Sequence, residues 1–89
     1  MQVSVWDTYV ARSDGRIMHF DILVPSTLTD TDTIFGFGKQ YLKGKPFRTG
    51  QLSVNECTFC HMQSVPPLVR SAIETDGYYI IEMENCQVD

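Results

Sequence analysis

Basic residues are scarce in this chain. Seven Lys and Arg stand against eleven Asp and Glu, for a formal net charge of −4. Duplex DNA is a poor fit, because Lys and Arg contacts to phosphate supply most of such affinity. Long apolar runs are missing as well. No stretch approaches the roughly 18 residues of a membrane helix, so no membrane partner is expected. Met1-Gln2 leads straight into Val3-Ser4-Val5-Trp6, with neither a basic start nor an apolar stretch. The expectation is a chain without a signal peptide, resident in the cytoplasm. Cysteines number only three, Cys57, Cys60 and Cys86. An odd count makes a poor disulfide framework, and in a reducing compartment such thiols stay free.

What is present is globular in composition. The 89 residues are 43% hydrophobic and 11% aromatic, which argues against disorder. The length suits a single domain over residues 1–89. At this size roughly 60 to 65% of the unfolded surface can be buried, enough for one thin core.

Residues 3 to 11 and 16 to 24 alternate as two strands around Asp14-Gly15, a pair suited to a two-residue type I′ turn. That turn sets Val10 opposite His19 and Trp6 opposite Leu23. The expected core face carries Val5, Asp7, Tyr9, Ala11, Met18, Phe20, Ile22 and Val24, with Asp7 as its anomaly. The other face carries Trp6, Thr8, Val10, His19, Asp21 and Leu23. Pro25 stops the second strand, since it cannot donate to a ladder. A helix is predicted from Asp32 to Lys43, with Ile34, Phe35, Gly38, Tyr41 and Leu42 as its buried stripe. Gly36 and Gly38 each cost about 1 kcal/mol against Ala there, and close approach of helix to sheet at Gly38 is the expected offset. A third strand is read over 51 to 62, most firmly to Glu56. Val65-Pro66-Pro67 opens a second helix that Asp76-Gly77 ends, and Tyr78 to Met83 forms the last strand.

The order β-β-α-β-α-β predicts an α+β fold: a four-stranded mixed sheet with both helices on one face. The face around Trp6, Val10 and Leu23 is then bare, which points to a homodimer or another homo-oligomer. A non-catalytic binding protein is the leading reading. Its partner, a protein or a small molecule, is not specified by the sequence.

One string carries chemistry: Cys57-Thr58-Phe59-Cys60-His61, a C-x-x-C-H motif. Covalent haem attachment matches the string but not the context, which lacks an export signal and a helical shell. Zinc or iron ligation would use Cys57, Cys60, His61 and Cys86, though a second ligand pair is missing. Thiol redox chemistry wants its first Cys at a helix start, and here the motif follows a strand. If the backbone stays extended, residues i and i+3 point to opposite faces. Cys60 would then enter the core beside Met62, with Cys57 and His61 facing the other way. No Gly or Pro between Gly50 and Pro66 signals a bend.

His19 and Asp21 flank Phe20 and share a face, an arrangement open to a general base or half of a metal site. Asp7, a carboxylate on the expected core face, needs a partner. Gly36-Phe37-Gly38 lacks the third glycine and the strand-turn context of a dinucleotide loop. Lys39, Lys43, Lys45 and Arg48 cluster where a helix C-terminus attracts cations.

Four stretches together resemble a known family: Trp6-Asp7-Thr8-Tyr9-Val10, Met18-His19-Phe20-Asp21, Glu56-Cys57-Thr58-Phe59-Cys60-His61, and Gly77-Tyr78-Tyr79-Ile80-Ile81-Glu82-Met83 with Cys86. The chain resembles the small bacterial domain-of-unknown-function family numbered twenty twenty-four. The resemblance implies a compact α+β domain and transfers no activity. It marks Asp7, His19, Asp21, Cys57, Cys60, His61 and Cys86 as the positions where a site would lie.

Overall fold

Two long alternating segments form the centre of the molecule, β1 (Gln2–Ala11) and β2 (Ile17–Pro25). They are followed by α1 (Thr31–Lys43), β3 (Cys57–Ser64), α2 (Pro67–Asp76) and β4 (Tyr79–Glu84). The computed structural model describes residues 1–52 and 57–88. The expected order of elements is the observed one, and the fold is α+β. The sheet order is β3-β1-β2-β4. Among the described residues no helix is long and apolar enough to cross a membrane.

The hairpin register differs from the expected one by a single residue. Tyr9 is opposite His19, Val10 opposite Met18 and Trp6 opposite Ile22. The cause is the loop. Arg12 N–H donates to the Arg16 carbonyl at 2.7 Å and Gly15 N–H to the Arg12 carbonyl at 3.1 Å. Gly15 has φ 91°. The connection therefore has three residues, Ser13, Asp14 and Gly15, with the glycine in the left-handed region, instead of the two-residue Asp-Gly turn. A slip of one residue sends every side chain of one strand to the other face relative to its partner.

One face accordingly joins Val10, Met18, Phe20, Ile22 and Val24 to Ile34, Phe35 and Leu42 of α1. The other joins Val3, Val5 and Leu23 to Ile73 of α2, with Val65, Val69, Tyr79 and Ile81 alongside. The two helices thus cover opposite faces, not one. Every neighbouring strand pair is antiparallel, so the sheet is not mixed. Only the connection through α1 joins strands of like direction, β2 and β3, with β1 between them. The connection through α2 runs from one edge strand to the other, so the handedness rule for parallel crossovers does not bind it.

The proposed interface of Trp6, Val10 and Leu23 does not exist as a surface. Val10 is 2% and Leu23 1% exposed, and they lie in different clusters on opposite faces. α2 packs over Val3, Val5 and Leu23 on the face that was expected to be bare. Exposed apolar side chains on β3 are Phe59 and Met62, and Phe59 meets Trp6 edge to face.

α1 is capped by Asp30, which accepts from Asp32 N–H and from Thr33 Oγ1. A Cβ built on Gly38 would stand 2.6 Å from Leu52 Cδ2 and 3.1 Å from Ile22 Cδ1, the close approach expected there. Tyr41 and Lys45 both bond the Glu82 carboxylate, fastening the end of α1 to β4. The third strand begins at Cys57, where the sequence reading was weaker; residues 53–56 of the predicted strand lie outside the described residues.

Candidate functional site

The slipped register builds a polar row on the α2 face. α2 packs over Val3, Val5 and Leu23. In the next row Asp7 stands directly opposite Asp21, flanked by Thr58 on β3 and Ile81 on β4. In the row beyond, Tyr9 stands opposite His19, and their rings stack with centroids 4.3 Å apart. Asp7, which the sequence placed away from His19 and Asp21, is thereby brought onto their face.

His19 Nε2 lies 3.7 Å from Asp7 Oδ1 and 3.7 Å from Asp21 Oδ1. Both separations are too long for a hydrogen bond. The side chains are 17% exposed for His19, 15% for Asp21 and 34% for Asp7. His19 Nε2 and Asp21 Oδ1 are themselves enclosed and have no hydrogen-bond partner. Ligand atoms of the three residues all lie within 4.8 Å of one another. Asp21 is pushed up to about 6, first by burial and then by the neighbouring Asp7 through hydrogen bonding and charge. His19 and His61 act in the opposite direction without prevailing.

β3 adds to this face through an irregularity. Val5 pairs with His61 and Trp6 with Phe59, so Cys60 is an extra residue, a β-bulge. Alternation runs normally from Cys57 on the α1 face to Cys60 on the α2 face. The bulge then keeps His61 on the side of Cys60. His61 Nδ1 is 3.1 Å from Cys60 Sγ, and His61 Nε2 is 2.8 Å from Gln63 Oε1. Desolvation, then a hydrogen bond to Asp7 and the charges of Asp7 and Asp21, raise the Cys60 thiol above its ordinary value.

The C-x-x-C-H set does not assemble as one site. Cys57 is 2% exposed in the α1-side core and receives a hydrogen bond from Thr8 Oγ1 at 3.4 Å. Burial pushes its thiol up despite that bond. Cys86, 4% exposed, belongs to the same core and donates to the carbonyls of His19 and Glu84, both at 3.3 Å. Cys60 is exposed on the other face. The expectation that Cys60 enters the core while Cys57 faces outward is reversed, because β3 pairs with β1 in the opposite phase. The expected separation of the two thiols holds.

Two sequence candidates thus merge by halves. Asp7, His19 and Asp21 come together, Cys60 and His61 stand on the same face, and Cys57 and Cys86 drop out into the core. Tyr9 is the site residue that sequence reading passed over. Its signal is the cross-strand pairing with His19, legible only in the correct register. Two carboxylates and an imidazole offer hard and borderline donors to a metal ion.

Comparison with known proteins agrees with the fold. The model of a domain of unknown function, DUF2024, matches residues 1–83. The NMR structure of protein NE1680 from Nitrosomonas europaea is similar with a TM-score of 0.80 at 37% sequence identity, covering 98% of this chain and 100% of that one. No curated protein matches. With 83 of 89 residues matched, this chain belongs to the DUF2024 family.

Proposed function

We propose that this protein binds a divalent transition-metal ion at Asp7, His19 and Asp21. The observation that carries the reading is the pair of enclosed, unpartnered atoms, His19 Nε2 and Asp21 Oδ1. Buried polar atoms are nearly always hydrogen-bonded, so a pair left open within 3.7 Å asks for an occupant. Ligands about 2.1 Å from a zinc-like ion stand roughly 3.0–3.4 Å apart. The observed 3.7 Å needs only a few tenths of an ångström of contraction. An ion also relieves the opposition of two carboxylates in a half-buried row. A docking role for the sheet face has less support, since Val10 and Leu23 of the expected interface are buried under different helices on opposite faces.

Isothermal titration and elemental analysis of tag-free protein test the reading. The expected result is one zinc or cobalt(II) ion per chain, lost in Asp21→Asn and in His19→Ala. Failure of the folded wild-type chain to bind zinc, cobalt(II), manganese(II) or iron(II) overturns it.

A further inference from the structure

We infer that the cavity between α1 and the segment 49–52 binds a small organic anion, a phosphate monoester or a dicarboxylate on an apolar body. The cavity has a volume of ≈ 480 Å³, a size suited to a small molecule. Lys39, Leu42 and Lys43 form its helical wall, and Thr49, Gln51 and Leu52 line the facing one. Leu42 and Leu52 belong to the α1-side core, so the site lies across the sheet from Asp7, His19 and Asp21. It does not rest on the metal reading.

Charge is the first support. Lys39 and Lys43 stand one turn apart on α1, about 6 Å along its axis, so both ammonium groups can reach one doubly charged head. Neither lysine makes an ion pair among the described residues, and no carboxylate lines the cavity with them. In a chain of net charge −4, two cations left open at one cavity select an anion. The helix dipole accounts for Lys43 in the last turn, but not for Lys39 a turn earlier. The second support is the apolar base. Leu42 and Leu52 are 9% and 7% exposed and give the cavity a floor that a bare inorganic ion leaves wet. An anionic head on an apolar body meets both parts.

The third support is that both walls are held by contacts of their own. Gly50 N–H donates to the Ala11 carbonyl at 2.8 Å and Ser13 N–H to the Arg48 carbonyl at 2.9 Å. Thr49 forms a bridge with Arg12. These bonds fix the facing wall to the end of the first hairpin. Gly38 admits Leu52 against α1, where a Cβ would stand 2.6 Å from Leu52 Cδ2. A ligand therefore finds the cavity formed and loses little affinity to ordering it.

Titration of metal-free protein with phenyl phosphate, phthalate, inorganic phosphate and phenol, followed by backbone amide NMR shifts, tests the site. Phenyl phosphate or phthalate is expected to give saturable shifts centred on residues 39–43 and 49–52. Inorganic phosphate should bind about ten-fold more weakly or worse, and phenol should give no saturable shift. Lys39→Gln and Lys43→Gln should each weaken binding about five-fold or more, with the helix kept because Gln is a comparable helix former. Arg70→Gln removes the same charge from α2 and should change affinity by about two-fold at most, since a distant exposed charge is screened. Asp21→Asn should bind as the wild type does. The inference is overturned by the absence of saturable shifts at these residues up to about 10 mM of either organic anion. Equal losses in Arg70→Gln, unchanged affinity in both lysine variants, loss of binding in Asp21→Asn, or inorganic phosphate binding as tightly as phenyl phosphate overturn it too. No metal enters the titration, so this site and the metal reading fail separately.

Discussion

Asp7 and Asp21 face each other directly across β1 and β2. Like charges at directly opposed positions destabilise a strand pair, and here one carboxyl is 15% exposed and the other 34%. The pair avoids double ionisation by keeping Asp21 protonated up to about pH 6. Such an arrangement weakens the metal-free fold at neutral pH. It becomes favourable once a cation lies between the two groups.

The first prediction follows from that proton. The folded-state value of Asp21 lies above its ordinary 3.8. Between about pH 4 and pH 6 the folded chain therefore holds more protons than the unfolded one, and stability falls as pH rises through that window. The metal-free protein should melt at a higher temperature at pH 4.5 than at pH 8, as far as this group decides. Asp21→Asn should stabilise the metal-free chain at pH 8 by about 1–3 kcal/mol, or roughly 5 °C or more, and change little at pH 4.5. Zinc should reverse the trend in wild-type protein. Thermal melts with chelator and with zinc, at both pH values, check all three points.

Element order was legible in the sequence because each element carries its own local signal. Alternation marked β1 and β2, the stripe of Ile34, Phe35, Gly38, Tyr41 and Leu42 marked α1, and Pro67 and Gly77 bounded α2. Relations between elements were less legible. Asp14-Gly15 fits a two-residue loop and the last two positions of a three-residue loop equally well, and the choice moves Asp7 from one face to the other. The bulge at Cys60 has no local mark at all. The candidate residues were therefore distributed over the wrong faces, and the convergence of Asp7, His19 and Asp21 is a property of register.

The second prediction separates two glycines of α1. A Cβ on Gly36 meets nothing within 4 Å, whereas one on Gly38 meets Leu52 and Ile22 side chains. Gly36→Ala should stabilise by about 1 kcal/mol through helix propensity alone. Gly38→Ala has the same propensity gain but overpacks two buried groups, which typically costs about 1–3 kcal/mol. It should come out neutral to destabilising and always below Gly36→Ala. Urea denaturation of the two variants side by side decides it.

The third concerns Arg12, only 7% exposed at the mouth of the hairpin. Its guanidinium donates to the carbonyls of Asn85 at 3.0 Å and Gln87 at 2.8 Å, pairs with Asp14 at 2.8 Å, and lies 3.9 Å over the Phe47 ring. It ties the segment after β4 to the first hairpin, and with it the core thiol of Cys86. Arg12→Ala should cost about 2–4 kcal/mol, since it strips charge-assisted bonds from partly buried carbonyls. Arg12→Lys should recover little, because an ammonium cannot reproduce the planar fork. Chemical denaturation midpoints measure both.

The fourth turns on the two faces of the sheet. Cys57 is held in the α1-side core with its thiol pushed up by burial, and Cys86 is enclosed in the same cluster. Cys60 stands exposed on the opposite face. A thiol reagent such as a disulfide dye should therefore titrate one cysteine in native protein and three in denaturant. Cys60→Ser should remove the native reaction entirely. Reaction of Cys57 in the native state would mean that β3 does not pair with β1 in the phase described, since that phase turns Cys57 inward and Cys60 outward; a native disulfide between Cys57 and Cys60 would mean that the backbone between them is not extended. The same measurement thus tests the β1–β3 pairing that sets Cys60 on the face of Asp7, without any metal present.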